Sequence, residues 1–146
     1  RTVDFSNTLL IMTSNLGNQS AHPMEAVKAH FRPEFLNRID EIVSFSPLSQ
    51  EEVRKILGQL VVKLNDRLSS KGLSVRLSKP AEDLVLERGY DSDYGARPLR
   101  RVFAREIEDP ISSLLLRGDL PPGSSIEVSV SRGSIEVTGR AAPPRE

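Results

Sequence analysis

The sequence predicts an α+β fold in two parts: an incomplete α/β piece over residues 1–46 and a small domain over residues 47–139. Three observations support this prediction. An unbroken apolar run near the start suits a strand buried on both faces. Apolar residues at helical spacing then mark three amphipathic stretches, and alternating apolar residues near the end mark a hairpin. Residues 140–146 are expected to form a tail.

The first part has two predicted strands and two predicted short helices. Residues 8–13 form the apolar run, and residues 41–45 form the second strand. Residues 24–31 place apolar side chains at helical spacing, and residues 32–38 carry Pro33 where a helix start tolerates proline. This part cannot close a core alone, because both strands lack neighbours for their edges and faces.

The second part opens with a capping-box pattern, in which the Ser49 hydroxyl and the Glu52 carboxylate bond backbone N–H groups at a helix start. A long helix ending at Gly72 follows, since apolar residues recur at three- and four-residue spacing. These residues are Val53, Ile56, Leu57, Leu60, Val61, Leu64 and Leu68. Residues 73–77 alternate, which predicts a short strand, and Ser78 then caps a second helix.

A third helix is predicted from about residue 95 to Gly118. Its apolar stripe comprises Leu99, Val102, Phe103, Ile107, Ile111, Leu114 and Leu115. Pro110 is expected to kink or restart this helix, with Asp109 as a cap for the restarted turn. Alternating apolar residues after the helix predict a hairpin that turns at residues 131–133.

Composition excludes several classes of protein. Lys plus Arg and Asp plus Glu each number 20, so the net charge is zero, which argues against a protein that coats nucleic acid. The chain has no cysteine, which excludes disulfides, thiolate nucleophiles and cysteine-based metal sites. With two scattered histidines, no metal site is expected. No apolar run is long enough for a bilayer. The first residues resemble neither a leader nor a start, so we expect a piece of a longer protein.

Asn15 is the first candidate for chemistry, because it follows the apolar run. In open α/β sheets, ligands bind just beyond the carboxyl ends of strands. An amide there can donate to a phosphate oxygen or orient a water molecule. The alternative is an Asx turn that closes the strand, and the tripeptide of residues 13–15 alone favours the turn.

Two arginines are the other candidates. Arg38, supplied across a subunit interface, could stabilise charge on a transferring γ-phosphoryl group; the alternative is a surface ion pair with Asp40 or Glu41. Arg97 is predicted in the first turn of the third helix, where Pro98 restricts its backbone. A fixed guanidinium there could hold phosphate through two hydrogen bonds; the alternative is a helix-end arginine in solvent.

Three motifs carry a resemblance to a known family. Residues 7–17 are NTLLIMTSNLG, residues 31–41 are FRPEFLNRIDE, and residues 94–101 are YGARPLRR. In this order they resemble the C-terminal part of the second AAA+ module of the Clp ATPases, most of all the ClpB disaggregases. The resemblance implies an incomplete piece of an AAA+ large subdomain followed by an AAA+ small C-terminal domain.

The same resemblance implies a role for each candidate residue. Asn15 matches the sensor 1 asparagine, which positions the attacking water near the γ-phosphate. Arg38 matches the arginine finger, which reaches the neighbouring subunit's nucleotide. Arg97 matches the sensor 2 arginine, which binds the nucleotide from the small domain and couples it to domain rotation.

The implied function is ATP hydrolysis that drives unfolding and disaggregation of proteins. ATP with Mg²⁺ is the cofactor implied for the intact parent. The chain itself has no G-x-x-x-x-G-K-[ST] loop, no acidic strand end for Mg²⁺ and no aromatic pore loop, so no tightly bound nucleotide and no activity are expected of it alone.

Implied partners are the other subunits of a homohexamer, unfolded or aggregated proteins and an Hsp70-type co-chaperone, but neither nucleic acid nor membrane. The implied location is the cytoplasm, or an organelle matrix or stroma in a eukaryote.

Two alternatives remain open. Peptidase-partnered unfoldases of the ClpC or ClpA kind resemble one another in an extended loop with an Ile/Leu-Gly-Phe/Leu tripeptide between sensor 1 and the finger. Here the interval over residues 16–37 is too short for such a loop. Residues 16–18 are Leu-Gly-Asn, which differs from the tripeptide because its last residue is polar. This favours a disaggregase. The second alternative is that the isolated chain acts only as a non-catalytic oligomerisation module.

Overall fold

The computed structural model describes residues 2–17, 22–91, 94–118 and 120–142. The chain divides into two compact units, Arg1–Ser46 and Pro47–Glu146. The first unit contains two short helices, α1 (Pro23–His30) and α2 (Pro33–Leu36), near the positions predicted from the sequence. Both begin with proline, which lacks the N–H that a helix start would leave unbonded.

The two predicted strands of the first unit do not form in its described residues. Residues 8–13 and 41–45 are unpaired, and their apolar side chains face solvent: Leu10 is 88% exposed and Phe45 is 90% exposed. The strand prediction is wrong because a strand takes its hydrogen bonds and apolar contacts from neighbouring strands and helices. The described part of this unit supplies no such neighbours.

The second unit begins with helix α3 (Gln50–Ser69), which starts in the predicted capping box. The Ser49 hydroxyl accepts a hydrogen bond from the Glu52 N–H at 3.3 Å, and the Glu52 carboxylate accepts one from the Ser49 N–H at 2.7 Å. Hydrogen bonds from the backbone and side chain of Ser49 lower the pKa of Glu52. The helix ends at Ser69, somewhat before the predicted end at Gly72.

Helix α4 (Lys79–Gly89) follows a short strand, and the Ser78 hydroxyl caps it by accepting the Ala81 N–H at 3.4 Å. The third predicted helix consists of three consecutive segments: α5 (Leu99–Phe103), a π-helical turn (Ala104–Glu108) and α6 (Asp109–Leu116).

The π-helical turn changes the prediction made for Pro110. Asp109 keeps helical backbone angles and donates its N–H to the Ala104 carbonyl, five residues back, so it is not a cap. Proline has no N–H and its ring crowds the preceding turn of an α-helix. A widened turn directly before Pro110 accommodates this without ending the helix.

The sheet has three strands in the order β1 (Ser74–Leu77), β2 (Ser125–Ser131), β3 (Ser134–Arg140). β1 and β2 are parallel, and β2 and β3 form the predicted antiparallel hairpin. Arg132 and Gly133 form its turn with φ of 51° and 76°, the positive values of a type I′ turn. Arg140 belongs to β3, so the chain leaves the sheet one residue later than predicted.

One hydrophobic core holds the second unit together. It lies between α3, α4, the α5–α6 helix and one face of the sheet. Its members include most of the apolar residues that helical spacing singled out. The largest fully buried side chains are Phe103, Leu57, Leu99, Ile107, Ile111 and Ile126.

Candidate functional site

Asn15 lies in the extended stretch of the first unit, directly before a turn at Leu16 and Gly17. The Ser14 hydroxyl accepts the Leu16 N–H at 3.1 Å and so closes this turn. In the described part of the chain, no hydrogen bond involves the Asn15 side chain, which is exposed. The Asx-turn alternative is therefore not what forms here, and the amide of Asn15 is left available.

Arg38 lies just beyond α2, where its backbone N–H donates to the Phe35 carbonyl at 3.0 Å. The Phe35 ring stacks on that of Phe31, with 5.1 Å between ring centroids, and this contact joins α2 to the end of α1. The guanidinium is exposed and, within the described residues, forms no ion pair with Asp40 or Glu41. The described residues therefore do not form the surface ion pair that was the alternative for Arg38.

Arg97 lies in a turn before α5, not in the first turn of the helix as predicted, because the helix begins only at Leu99. Its N–H approaches the Tyr94 carbonyl at 3.4 Å, and its side chain is exposed. No ion pair in the described ranges involves Arg97. The side chain is therefore available to a ligand, on a backbone that the turn and Pro98 restrict.

Two features that the sequence analysis did not single out support this turn. Asp91 and Gly95 exchange backbone hydrogen bonds of 2.9 and 2.7 Å, and the Asp91 carboxylate accepts the Tyr94 N–H at 2.9 Å. Gly89, at the end of α4, packs against Leu99 so closely that a Cβ would lie 2.9 Å from the Leu99 Cα. An acidic residue three positions before an aromatic residue and glycine is the signal that could have identified Asp91.

The three predicted residues fall in different units. Asn15 and Arg38 belong to the first unit, where no described hydrogen bond joins them, and Arg97 belongs to the second. The second unit also carries two shallow depressions, of about 330 and 440 Å³, and Arg97 lines neither. One lies beside α3 and β1, and the other lies between α3 and α5.

Arg100, Arg101 and Arg105 form an exposed basic face on the helix that follows Arg97, and acidic side chains neutralise this face only in part. Arg105 pairs with Glu106 at 3.0 Å, and Arg88 pairs with the same carboxylate at 2.9 Å. Arg100 and Arg101 are exposed. A cluster of acidic or histidine side chains that could hold a metal ion is absent from the described residues. The helices of the described ranges include none long and apolar enough to cross a membrane.

Two family models match the chain, one in each unit. The model of the C-terminal, D2-small domain of ClpB protein matches residues 48–128, and the model of the AAA domain (Cdc48 subfamily) matches residues 1–42. Residues 18–21, part of the short interval used to argue against a peptidase partner, lie outside the described residues.

Curated relatives match over nearly the whole chain. The chain is 46% identical to chaperone protein ClpB of Pseudomonas putida, over 92% of this chain and 17% of that protein. It is 47% identical to chaperone protein ClpB of Corynebacterium efficiens, over 91% of this chain and 16% of that protein. It is 41% identical to heat shock protein 100 of Trypanosoma brucei brucei, over 94% of this chain and 18% of that protein.

The chain thus spans about a sixth of the length of these relatives. The family model of the D2-small domain covers more than half of the chain, including α3, α4, the α5–α6 helix, β1 and the part of β2 that pairs with β1. With these matches, the chain belongs to the ClpB family, as the part that carries its C-terminal D2-small domain.

Proposed function

We propose that this chain is the C-terminal part of the second ATPase module of a ClpB-type disaggregase, a machine that threads protein through a hexamer at the expense of ATP. The observation that carries the proposal is the succession of an AAA match over residues 1–42 and a D2-small match over residues 48–128. The exposed state of Asn15, Arg38 and Arg97, each without a described side-chain partner, supports it.

Each of the three residues has a distinct task in this proposal. The Asn15 amide orients the attacking water. Arg38 enters the nucleotide site of the neighbouring subunit and stabilises negative charge as it develops on the transferring phosphoryl group. Arg97 holds a phosphate oxygen from the small domain, so that a change at the nucleotide moves the domain that carries it.

These residues fit only the terminal-phosphate end of ATP. The sequence contains no phosphate-binding glycine loop, and the described residues contain no acidic cluster for Mg²⁺. When bound in the intact parent, MgATP supplies the phosphoanhydride bond whose hydrolysis drives the work. We therefore expect the purified chain to bind ATP weakly and not to hydrolyse it. Robust turnover that survives Asn15→Ala would contradict this.

The alternatives have weaker support. The relatives reported above are named ClpB or heat shock protein 100, and the short interval before Arg38 gives no room for an extended peptidase loop. A purely structural role, as an oligomerisation module, fits the packed second unit. It does not explain the three exposed polar residues at matching motif positions, whose side chains have no partner among the described residues. The proposed partners are the other subunits, unfolded or aggregated protein and an Hsp70-type co-chaperone, in the cytoplasm or an organelle matrix.

A chimera tests the proposal. This chain would replace the aligned C-terminal part of Pseudomonas putida ClpB, and ATP turnover and reactivation of an aggregated enzyme would be measured. We expect both activities to persist. Arg38→Ala should lower turnover by about 10³-fold without preventing nucleotide binding, because an arginine supplied in trans can raise the rate of phosphoryl transfer by about that factor. Arg32→Ala, an exposed arginine of the same unit, is the matched control and should have no such effect.

Subunit mixing tests the trans arrangement. Subunits carrying Arg38→Ala are mixed with subunits whose own phosphate-binding loop is defective. Some activity should return, because mixed interfaces join an intact site to an intact arginine. Undiminished turnover in the homogeneous Arg38→Ala protein would reject the finger role.

A further inference from the structure

The two outer edges of the sheet differ in whether they are covered. At the β1 edge, the Asn65 side chain from α3 bonds the backbone of Val75 twice. Its amide nitrogen donates to the Val75 carbonyl at 3.0 Å, and its oxygen accepts the Val75 N–H at 2.8 Å. Asn65 thus takes the place of a neighbouring strand and blocks strand addition at this edge.

The β3 edge has no such cover from the residues that the structure describes. The two-residue type I′ turn makes Ser131 and Ser134 the first hydrogen-bonded pair of the hairpin. Hydrogen-bonded pairs then alternate, so the N–H and C=O groups of Ile135, Val137 and Gly139 point away from β2. In the described part of the chain, no hydrogen bond from another segment reaches them. β3 is therefore a regular seven-residue edge that is open to another strand.

We propose that β3 pairs with β3 of a second copy of this chain, antiparallel and across a two-fold axis. Neighbours in a closed hexameric ring meet through head-to-tail contacts, so in the proposed hexamer this contact joins chains of different rings. Such a contact is isologous, so each charge must find a suitable partner at its symmetry-related position. In three registers, the outward-pointing N–H and C=O groups of one strand lie opposite those of the other and most of the two strands overlap. They are centred on Glu136, Val137 or Thr138, and side-chain charge distinguishes them.

The register centred on Thr138 has the best complementarity. It places Glu136 opposite Arg140 twice and Thr138 opposite its own copy, both favourable cross-strand pairs. The register centred on Glu136 sets two carboxylates against each other, and the one centred on Val137 pairs Glu136 with Thr138. Arg140 already bonds Glu127 of β2 at 2.7 Å, whereas Glu136 has no ion pair within the described residues. In the dimer, Arg140 lies between the two carboxylates.

The size of the contact sets its strength. In this register residues 136–140 of the two strands lie opposite one another, and they bury far less than the roughly 1,200–2,000 Å² of a stable protein interface. The dimer is therefore weak, forms at high protein concentration, and loosens with salt because its distinguishing contacts are exposed ion pairs.

Cysteine cross-linking tests the register directly, since the chain has no cysteine of its own. At the centre of the proposed register, the two copies of residue 138 form a non-hydrogen-bonded pair with Cα atoms about 4.5 Å apart, within the range of a disulfide. Thr138→Cys in the full chain should oxidise to a covalent dimer. Ser129→Cys, on the same face of the covered strand β2, is the matched control and should not. Equal cross-linking by both variants would overturn the proposal.

Sedimentation of the full chain tests the charge argument. Glu136→Arg should weaken dimerisation about tenfold, because two attractive pairs become repulsive. Adding Arg140→Glu to this variant should restore most of it. Circular dichroism checks that each variant is folded. If Glu136→Arg leaves association unchanged while Leu10→Asp abolishes it, the contact lies in the first unit and the proposal is wrong.

Discussion

The two units contain similar apolar residues, but the first unit exposes many of them to solvent and the second unit buries them. In the first unit, the run of residues 8–13 is exposed, whereas in the second unit Leu57 is 2% exposed and Ile107 is fully buried. The difference lies in the pattern. A helix stripe exposes one face that other amphipathic elements of the same unit can cover. A continuous apolar run in a strand needs partners on both faces and both edges, and the described part of the first unit does not supply them.

Hydrogen exchange would sharpen this comparison most. Amides of residues 9–12 should exchange at nearly the rate of an unstructured peptide, whereas amides of residues 57–64 in α3 should be protected roughly 10³-fold or more, as in a folded core. The measurement is mass spectrometry on the dilute chain. Equal protection of the two segments would mean that the first unit has a core of its own and that the boundary at Pro47 is misplaced.

Truncation of one phenylalanine in each unit gives the next largest effect. Phe103 is 1% exposed, so Phe103→Ala should destabilise the second unit by about 3–5 kcal/mol through lost burial and a cavity. Phe45→Ala removes a side chain that is 90% exposed and should change stability very little. Urea unfolding followed by far-UV circular dichroism would measure both. A large effect at Phe45 would break the comparison.

Two glycines of the second unit give a similar contrast between a tightly packed position and an open one. In Gly89→Ala, the new Cβ would meet the Leu99 backbone at 2.9 Å, so a loss of about 1–3 kcal/mol is expected. Gly58→Ala adds its methyl group to open space in the interior of α3 and should stabilise by about 0.5–1 kcal/mol. Thermal unfolding of both variants measures the pair, and shifts of the same sign would contradict it.

The capping box at the start of the second unit is expected to have a modest effect on stability that depends on pH. Ser49→Ala should cost about 1 kcal/mol at neutral pH. The pKa of Glu52 is lowered in the folded state, so its contribution is present above the carboxyl's ordinary pKa and is lost as pH falls through the lowered value. Ser49→Ala should therefore cost less in acid. If the loss of unfolding free energy caused by Ser49→Ala were the same at pH 7 and pH 2.5, Glu52 would not contribute to the cap.

Signals that depend on neighbouring residues in sequence predicted much of the second unit. The Ser49 cap, the three helical stripes and the turn at Arg132 each depend on a few adjacent positions, and all were found. The parallel pairing of β1 with β2 joins segments far apart in the chain, so no local pattern specifies it. The double hydrogen bond from Asn65 to Val75 escaped prediction for the same reason.

The site was predicted less completely than the fold. Asn15, Arg38 and Arg97 were chosen for their chemistry and motif positions, and their roles remain proposals. What the sequence missed is the support around Arg97. The Asp91–Gly95 backbone pair and the contact of Gly89 with Leu99 depend on the angle between α4 and α5, which apolar spacing does not specify.

The π-helical turn at Ala104–Glu108 has a consequence for insertions and deletions. Phe103, Ile107 and Ile111 are all buried, although each α-helical residue turns about 100° and two spacings of four would rotate the stripe by about 80°. The widened turn absorbs one residue and returns the stripe to the core. Deleting one residue between Phe103 and Ile107 would restore the α-helical phase of the apolar face but would remove the widened turn that accommodates Pro110, so we expect this deletion to be tolerated only together with replacement of Pro110. A second deletion would turn the apolar face away from the core by about 100°.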